Sequence, residues 1–167
     1  GYSKILNSGI QYPPTIEQMF ERDKVGSIRS AMGTGKTYAI CKYIKRNRIS
    51  RVLVLSPRIS YASSIANEYN QEAVYYESNK FKAYTSVSKK HNLSLYPRLV
   101  CSMESLHYLD TSQLETRPFD LLVCDESHAN LTAHVCSVTN GCNFEANQHV
   151  METLMRTTPK IIFADAF

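Results

Sequence analysis

The sequence predicts an α/β fold, a mostly parallel sheet with helices on both faces, and three observations carry that expectation. Apolar, β-branched runs such as Arg51-Val52-Leu53-Val54-Leu55-Ser56 are hydrophobic on both faces, as strands inside a parallel sheet are. Segments with helical spacing separate those runs, so strand and helix alternate along the chain. A glycine-bearing loop, Ser30-Ala31-Met32-Gly33-Thr34-Gly35-Lys36-Thr37, stands between the first short strand and the first strongly periodic helix.

The elements follow in order. Residues 1–13 show little periodicity and read as a lead-in segment. A helix is expected from Pro14, because proline suits a first helical turn and Ile16, Met19 and Phe20 fall at helical spacing. Gly26 to Ser30 is a short strand that runs into the loop. Thr37 to Asn47 is a helix with Ile40, Cys41 and Ile44 on one face and Lys42, Lys45 and Arg46 on another. After the strand Arg51–Ser56, a second helical run carries Ile59, Ala62, Ile65, Ala66 and Tyr69. A short strand is expected at Ala73 to Tyr76, and the polar, lysine-rich stretch Glu77 to Asn92 is expected at the surface. Arg98 to Ser102 is the next strand, with a brief helix over Met103 to Tyr108. Phe119 to Cys124 is another buried strand and leads into Asp125-Glu126-Ser127-His128. Phe144 to Arg156 is helical through Val150, Met151, Leu154 and Met155, and Lys160 to Ala164 closes the sheet.

With 167 residues and 43% hydrophobic content, the length suits one domain with a real core. A net charge of +4 permits a polyanionic partner without requiring one. No stretch approaches the roughly twenty apolar residues of a membrane span, and the N-terminus lacks a secretory pattern, so no membrane partner and an intracellular location are expected. Of five cysteines, Cys41, Cys101 and Cys124 fall in apolar runs, where a reduced thiol behaves as a small hydrophobe, so a disulfide framework is not expected. A chain that begins at Gly1 and stops at Phe167, directly after Ile161-Ile162-Phe163-Ala164, reads as a piece of something longer.

The loop has the chemistry of a phosphate cradle. Glycine at Gly33 and Gly35 lets the backbone turn sharply and bring its N–H groups close to a phosphate. Lys36 supplies a point charge to the β- and γ-phosphates, and Thr37 places a hydroxyl where Mg²⁺ would sit at the N-terminus of the following helix. The longer pattern G-x-x-x-x-G-K-[ST] wants a glycine where Ser30 stands, whereas Ala31-x-x-Gly33-x-Gly35-Lys36-Thr37 fits the shorter form. Met32 and Thr34 complete the nucleotide-binding set. The plainer alternative is a glycine-rich turn with a chance lysine.

A phosphate loop needs a metal partner, and Asp125, at the end of an apolar strand, is placed to hold Mg²⁺. Glu126 beside it is a general base for the attacking water. The plainer alternative is an acidic turn capping the next helix. His128 joins this set through its place two residues after Glu126, although a lone histidine is more often packed or superficial.

Ala31 to Thr37 together with Asp125-Glu126-Ser127-His128 resembles motifs I and II of the superfamily 2 helicases in their DExH form. Ser56-Pro57-Arg58 is similar to motif Ia, and Ser102-Met103-Glu104-Ser105-Leu106 to motif Ib. With Leu106-His107 after Glu104-Ser105, the chain looks most like the origin-binding helicases and helicase-primases of large DNA viruses. The resemblance implies a single RecA-like P-loop NTPase domain over residues 1–167, the first of two motor domains. It also implies ATP and Mg²⁺ as cofactors, nucleic acid as partner with DNA favoured over RNA, and a host cell or virion location.

Three departures stand out. Asp165-Ala166-Phe167 occupies the place of the usual Ser-Ala-Thr motif III. No glutamine motif for adenine is evident, with Gln11 and Gln18 the nearest substitutes. Motifs IV to VI, with the arginine that completes the ATP site, are absent, so this stretch by itself is expected to bind nucleotide and hydrolyse it slowly.

In that family, Ser56, Pro57, Arg58, Ser102 and Ser105 would meet backbone phosphates, which fix position and carry little sequence information. The serines have a competing use as helix caps. Lys80, Lys82, Lys89 and Lys90 read as a solvated face. His134, Cys136, Cys142 and His149 match no compact zinc finger spacing. A P-loop kinase or a non-catalytic module that keeps the fold to bind a partner remain the alternative functions.

Overall fold

The computed structural model describes residues 15–30, 35–73, 80–87, 90–125 and 143–166. Its strands are β1 (Val25–Ser30), β2 (Val52–Ser56), β3 (Lys82–Ala83), β4 (Arg98–Ser102), β5 (Leu121–Asp125) and β6 (Lys160–Ala166). They form one sheet in the order β1-β6-β5-β2-β4-β3, and every neighbouring pair is parallel. The helices are α1 (Ile16–Met19), α2 (Lys36–Arg46), α3 (Ala62–Ala73), α4 (Thr111–Thr116) and α5 (Phe144–Thr157).

Chirality then decides the layers. The steps β1 to β2 and β2 to β3 move one way across the sheet, and the remaining steps move back. Right-handed crossovers therefore put α2 and α3 on one face, with α4 and α5 on the other. Packing agrees: α2 lies against α3, while α5 lies against α4 and the 3₁₀ turn Met103–Tyr108. Exposed ion pairs, Arg46 to Glu17 and Arg156 to Glu115, link α2 to α1 and α5 to α4.

Helices on both faces are why Val52, Leu53, Val54 and Leu55 are all fully buried, which is the continuous apolar run seen in the sequence. Cys41, Cys101 and Cys124 are buried free thiols, and burial pushes each up to about 12, out of reach of thiolate chemistry.

Several elements differ from expectation. Ala62, Ile65, Ala66 and Tyr69 are buried on α3, but Ile59 is exposed, because it sits in a 3₁₀ turn, Ile59–Tyr61, ahead of the helix. Ala73 closes α3 rather than opening a strand, and residues 74–76 lie outside the described residues. The stretch expected at the surface instead buries Phe81, Ala83, Tyr84 and Val87 and contributes β3. Asn70 on α3 holds it: its amide accepts the Phe81 N–H at 2.7 Å and donates to the Phe81 carbonyl at 3.1 Å. Lys80 and Lys82 remain exposed, and Lys82 lies on the edge strand, where a charge discourages further strand pairing. The helix α4, capped by Asp110 on the Ser112 N–H, has no counterpart in the sequence reading. Strand β6 continues to Ala166, so Asp165 and Ala166 pair in register with Arg29 and Ser30.

Candidate functional site

All six strands point their carboxyl ends to one edge. Ile28, Ala164 and Asp125 lie side by side there, while Ser56 pairs with Ser102 further along. Because β6 separates β1 from β5, the end of β1 and Asp125 stand two strand spacings apart, roughly 10 Å.

At the β1 side, α2 opens on Gly35, whose φ of 88° is left-handed. A Cβ there would meet nothing within 4 Å, so glycine is required by the backbone conformation and not by space. No side chain caps this helix, and its first intrahelical bond runs from the Ala39 N–H to the Gly35 carbonyl at 2.9 Å. The N–H groups of the first turn, with their partial positive charge, thus face outward from the helix end.

Lys36 and Thr37 follow, both half-buried. The Thr37 hydroxyl donates to Glu68 Oε1 on α3 at 2.9 Å. Gly35, Lys36, Thr37, Tyr38, Glu68 and Glu72 line a depression of about 240 Å³. Tyr38 is exposed at its rim, with the Lys42 ammonium 4.9 Å from the ring centroid.

Asp125 ends β5 and is half-buried. Beneath it, burial holds the Tyr69 phenol well above its ordinary value, with the negative charge of Asp125 adding to the effect. Thr37 and Glu68 bring hard oxygen donors together beside Lys36 at the start of α2, chemistry that suits Mg²⁺ and phosphate, and Asp125 stands on the same sheet edge, two strand spacings from β1. Met32, Gly33, Thr34, Glu126 and His128 lie outside the described residues.

Among the five residues expected to touch nucleic acid, only Arg58 is at the surface. Ser56 is fully buried; its hydroxyl donates to the Arg58 carbonyl at 2.6 Å and accepts the Arg58 N–H at 3.3 Å. Pro57 is buried beside it. Ser102 donates to the Ser105 hydroxyl at 2.9 Å, both are buried, and the Tyr84 phenol bonds to the same pair. These strand-end hydroxyls close turns.

Gln18 completes a capping box with Thr15 at the start of α1, which engages its side-chain oxygen, and Gln11 lies outside the described residues. His149 is exposed on α5; the other three residues of the zinc quartet are not described. Among the described residues no group of three or more metal-ligating side chains comes together. Glu68 is the site residue that sequence reasoning missed. It reads as one more polar position on a helix, and only the packing of α3 on α2 brings it to Thr37.

The fold is that of helicase domains. The helicase domain of Hef from Pyrococcus furiosus matches with a TM-score of 0.58 over 97% of this chain and 34% of its own, at 18% identity. Residues 4–167 match the family described as origin of replication binding protein, and the chain belongs to that family. The replication origin-binding protein of Equine herpesvirus 1 (strain Ab4p) is 27% identical over 165 residues, covering 94% of this chain and 17% of that protein. The same protein of Bovine herpesvirus 1.1 (strain Cooper) is 30% identical over 146 residues, covering 86% of this chain and 16% of its own. The chain therefore spans about a sixth of the length of these relatives. Among the described residues no helix is long and apolar enough to cross a membrane.

Proposed function

We propose that this chain is the ATP-binding motor domain of a viral DNA helicase or translocase, in which Mg-ATP hydrolysis drives movement along or unwinding of nucleic acid in the infected cell. The observation that carries the reading is the uncapped, glycine-led start of α2, with Lys36 and Thr37, on the same sheet edge as Asp125. Family membership and the helicase-domain fold support a helicase-related role in replication.

In this reading Lys36 and the α2 N–H groups, with Met32, Gly33, Thr34 and Gly35, bind the phosphates. Thr37 and Asp125 hold Mg²⁺, whose charge offsets that of the phosphates and polarises them. Glu126 orients and deprotonates the attacking water, and His128 adjoins it. Arg58 meets a backbone phosphate of the nucleic acid. A second RecA-like domain supplies the arginine that completes the site.

Replacing Lys36 with Ala is expected to weaken ATP binding at least tenfold, about 1.4 kcal/mol, measured with a fluorescent ATP analogue. Unchanged affinity would remove the phosphate-cradle reading. In the full-length protein, with Lys36 intact, single-stranded DNA is expected to raise ATP turnover, with the response fading as salt rises. Turnover indifferent to nucleic acid would overturn the motor assignment.

A further inference from the structure

We propose that Glu68 is a positioning residue for the nucleotide's divalent cation: it takes the proton of the Thr37 hydroxyl and leaves that oxygen's lone pairs free for the metal. The inference rests on Thr37 being a metal ligand, as in the reading above.

A threonine hydroxyl has one proton and two lone pairs, and it ligates a cation only through a lone pair. Its proton must therefore be directed elsewhere. An ionised carboxylate has no proton to give, so the polarity of the 2.9 Å contact is fixed, with Thr37 donating and Glu68 accepting. A carboxylate behind a ligating group also raises that ligand's basicity and holds its orientation. Thr37 is β-branched and helical, so its few rotamers make one well-placed partner sufficient.

The partner is held by packing. Glu68 is flanked on α3 by Tyr69, buried, and one turn earlier by Ile65, also buried; the Tyr69 carbonyl accepts a bond from Cys41 Sγ on α2 at 3.9 Å. Glu72, one helical turn further along, lines the same depression. The wall opposite Lys36 and Thr37 thus carries two carboxylates.

The test is the ratio of affinities for a fluorescent ATP analogue with excess Mg²⁺ and with EDTA. In Glu68→Ala this ratio is expected to fall about tenfold, with metal-free affinity unchanged. Thr37→Ala is expected to lower the ratio by itself, and adding Glu68→Ala to it is expected to change nothing more. Glu68 is exposed, and a thermal melt of each variant separates these effects from loss of fold. An unaltered ratio in Glu68→Ala, or an equal fall in the Thr37→Ala background, overturns the proposal. If Thr37→Ala alone leaves the ratio unaltered, the metal-ligand reading of Thr37 fails and this inference falls with it. If Thr37→Ala lowers the ratio and Glu68→Ala does not, only the role of Glu68 is lost.

Discussion

At one end of the sheet's carboxyl edge, between β1 and β5, a hydroxyl reaches from the start of α2 across to a separate helix. At the other end, after β2 and β4, hydroxyls reach no further than their own turns. Both regions use small polar residues at strand ends, so residue type does not separate them. The path of the chain does. After β4 a 3₁₀ turn begins at once, at Met103, and folds Ser105 back onto Ser102. After β2, Ser56 is stapled to Arg58 just before the turn Ile59–Tyr61. At β1, by contrast, α2 begins only at Lys36, behind a left-handed Gly35 that brings no capping side chain. The Thr37 hydroxyl that follows finds its partner, Glu68, on another helix.

The comparison breaks most readily at Asn147. This residue is fully buried on α5 and braces the turn after β4: Oδ1 accepts the His107 N–H at 2.7 Å, and Nδ2 donates to the Glu104 carbonyl at 3.1 Å. Because Oδ1 only accepts, its 3.0 Å contact with His107 Nδ1 places the proton on that ring nitrogen. Asn147→Ala takes this partner from a half-buried donor and acceptor and is expected to cost about 1–3 kcal/mol, seen as a lower urea midpoint with the same m-value. Nucleotide affinity of the folded protein is expected to hold. A parallel loss of affinity would mean that the two regions act as one unit.

This division also explains what was legible in the sequence. Arg98–Ser102 and the strand ending in Ser56 were evident because helices cover both faces, and burial on both sides requires an unbroken apolar run. The helix α2 was evident from Ile40, Cys41 and Ile44, and the glycine requirement at Gly35 from its motif. Strand β3 was hidden because its support is tertiary: two residues with no pattern of their own, fixed by Asn70 and by the Tyr69 ring 5.2 Å from Phe81. Helix α4 is too short to show a period, and its anchors, Asp110 and the Arg156 to Glu115 pair, include a residue 41 positions away. Glu68 was hidden for the same reason, since nothing local distinguishes it from any exposed glutamate. The serines show the converse limit: a motif fixes residue types at strand ends, but their burial is decided by the turn that follows.

Arg58 offers a finer test, because it is the exposed member of the set expected at nucleic acid. Arg58→Ala is expected to weaken single-stranded DNA binding about three- to tenfold near 100 mM salt. The slope of log K against log salt is expected to shrink by about 0.7, as loss of one phosphate contact requires. Unchanged affinity and slope would leave the β2 and β4 region without any ligand face and sharpen the contrast into one between binding and scaffold.

Ser102 carries the smallest effect and the most discriminating one. Ser102→Ala removes a single buried hydroxyl pair, while Ser105 keeps the Tyr84 phenol as a partner. The expected cost is about 0.5–1 kcal/mol of stability, read as a slightly lower melting temperature, with DNA affinity unchanged. The alternative is equally specific. If the variant melts like the parent but loses as much DNA affinity as Arg58→Ala, then Ser102 exchanges its internal partner for a phosphate when DNA is present. In that case an internal partner would not separate the two regions, since Thr37 has one in Glu68 just as Ser102 has one in Ser105.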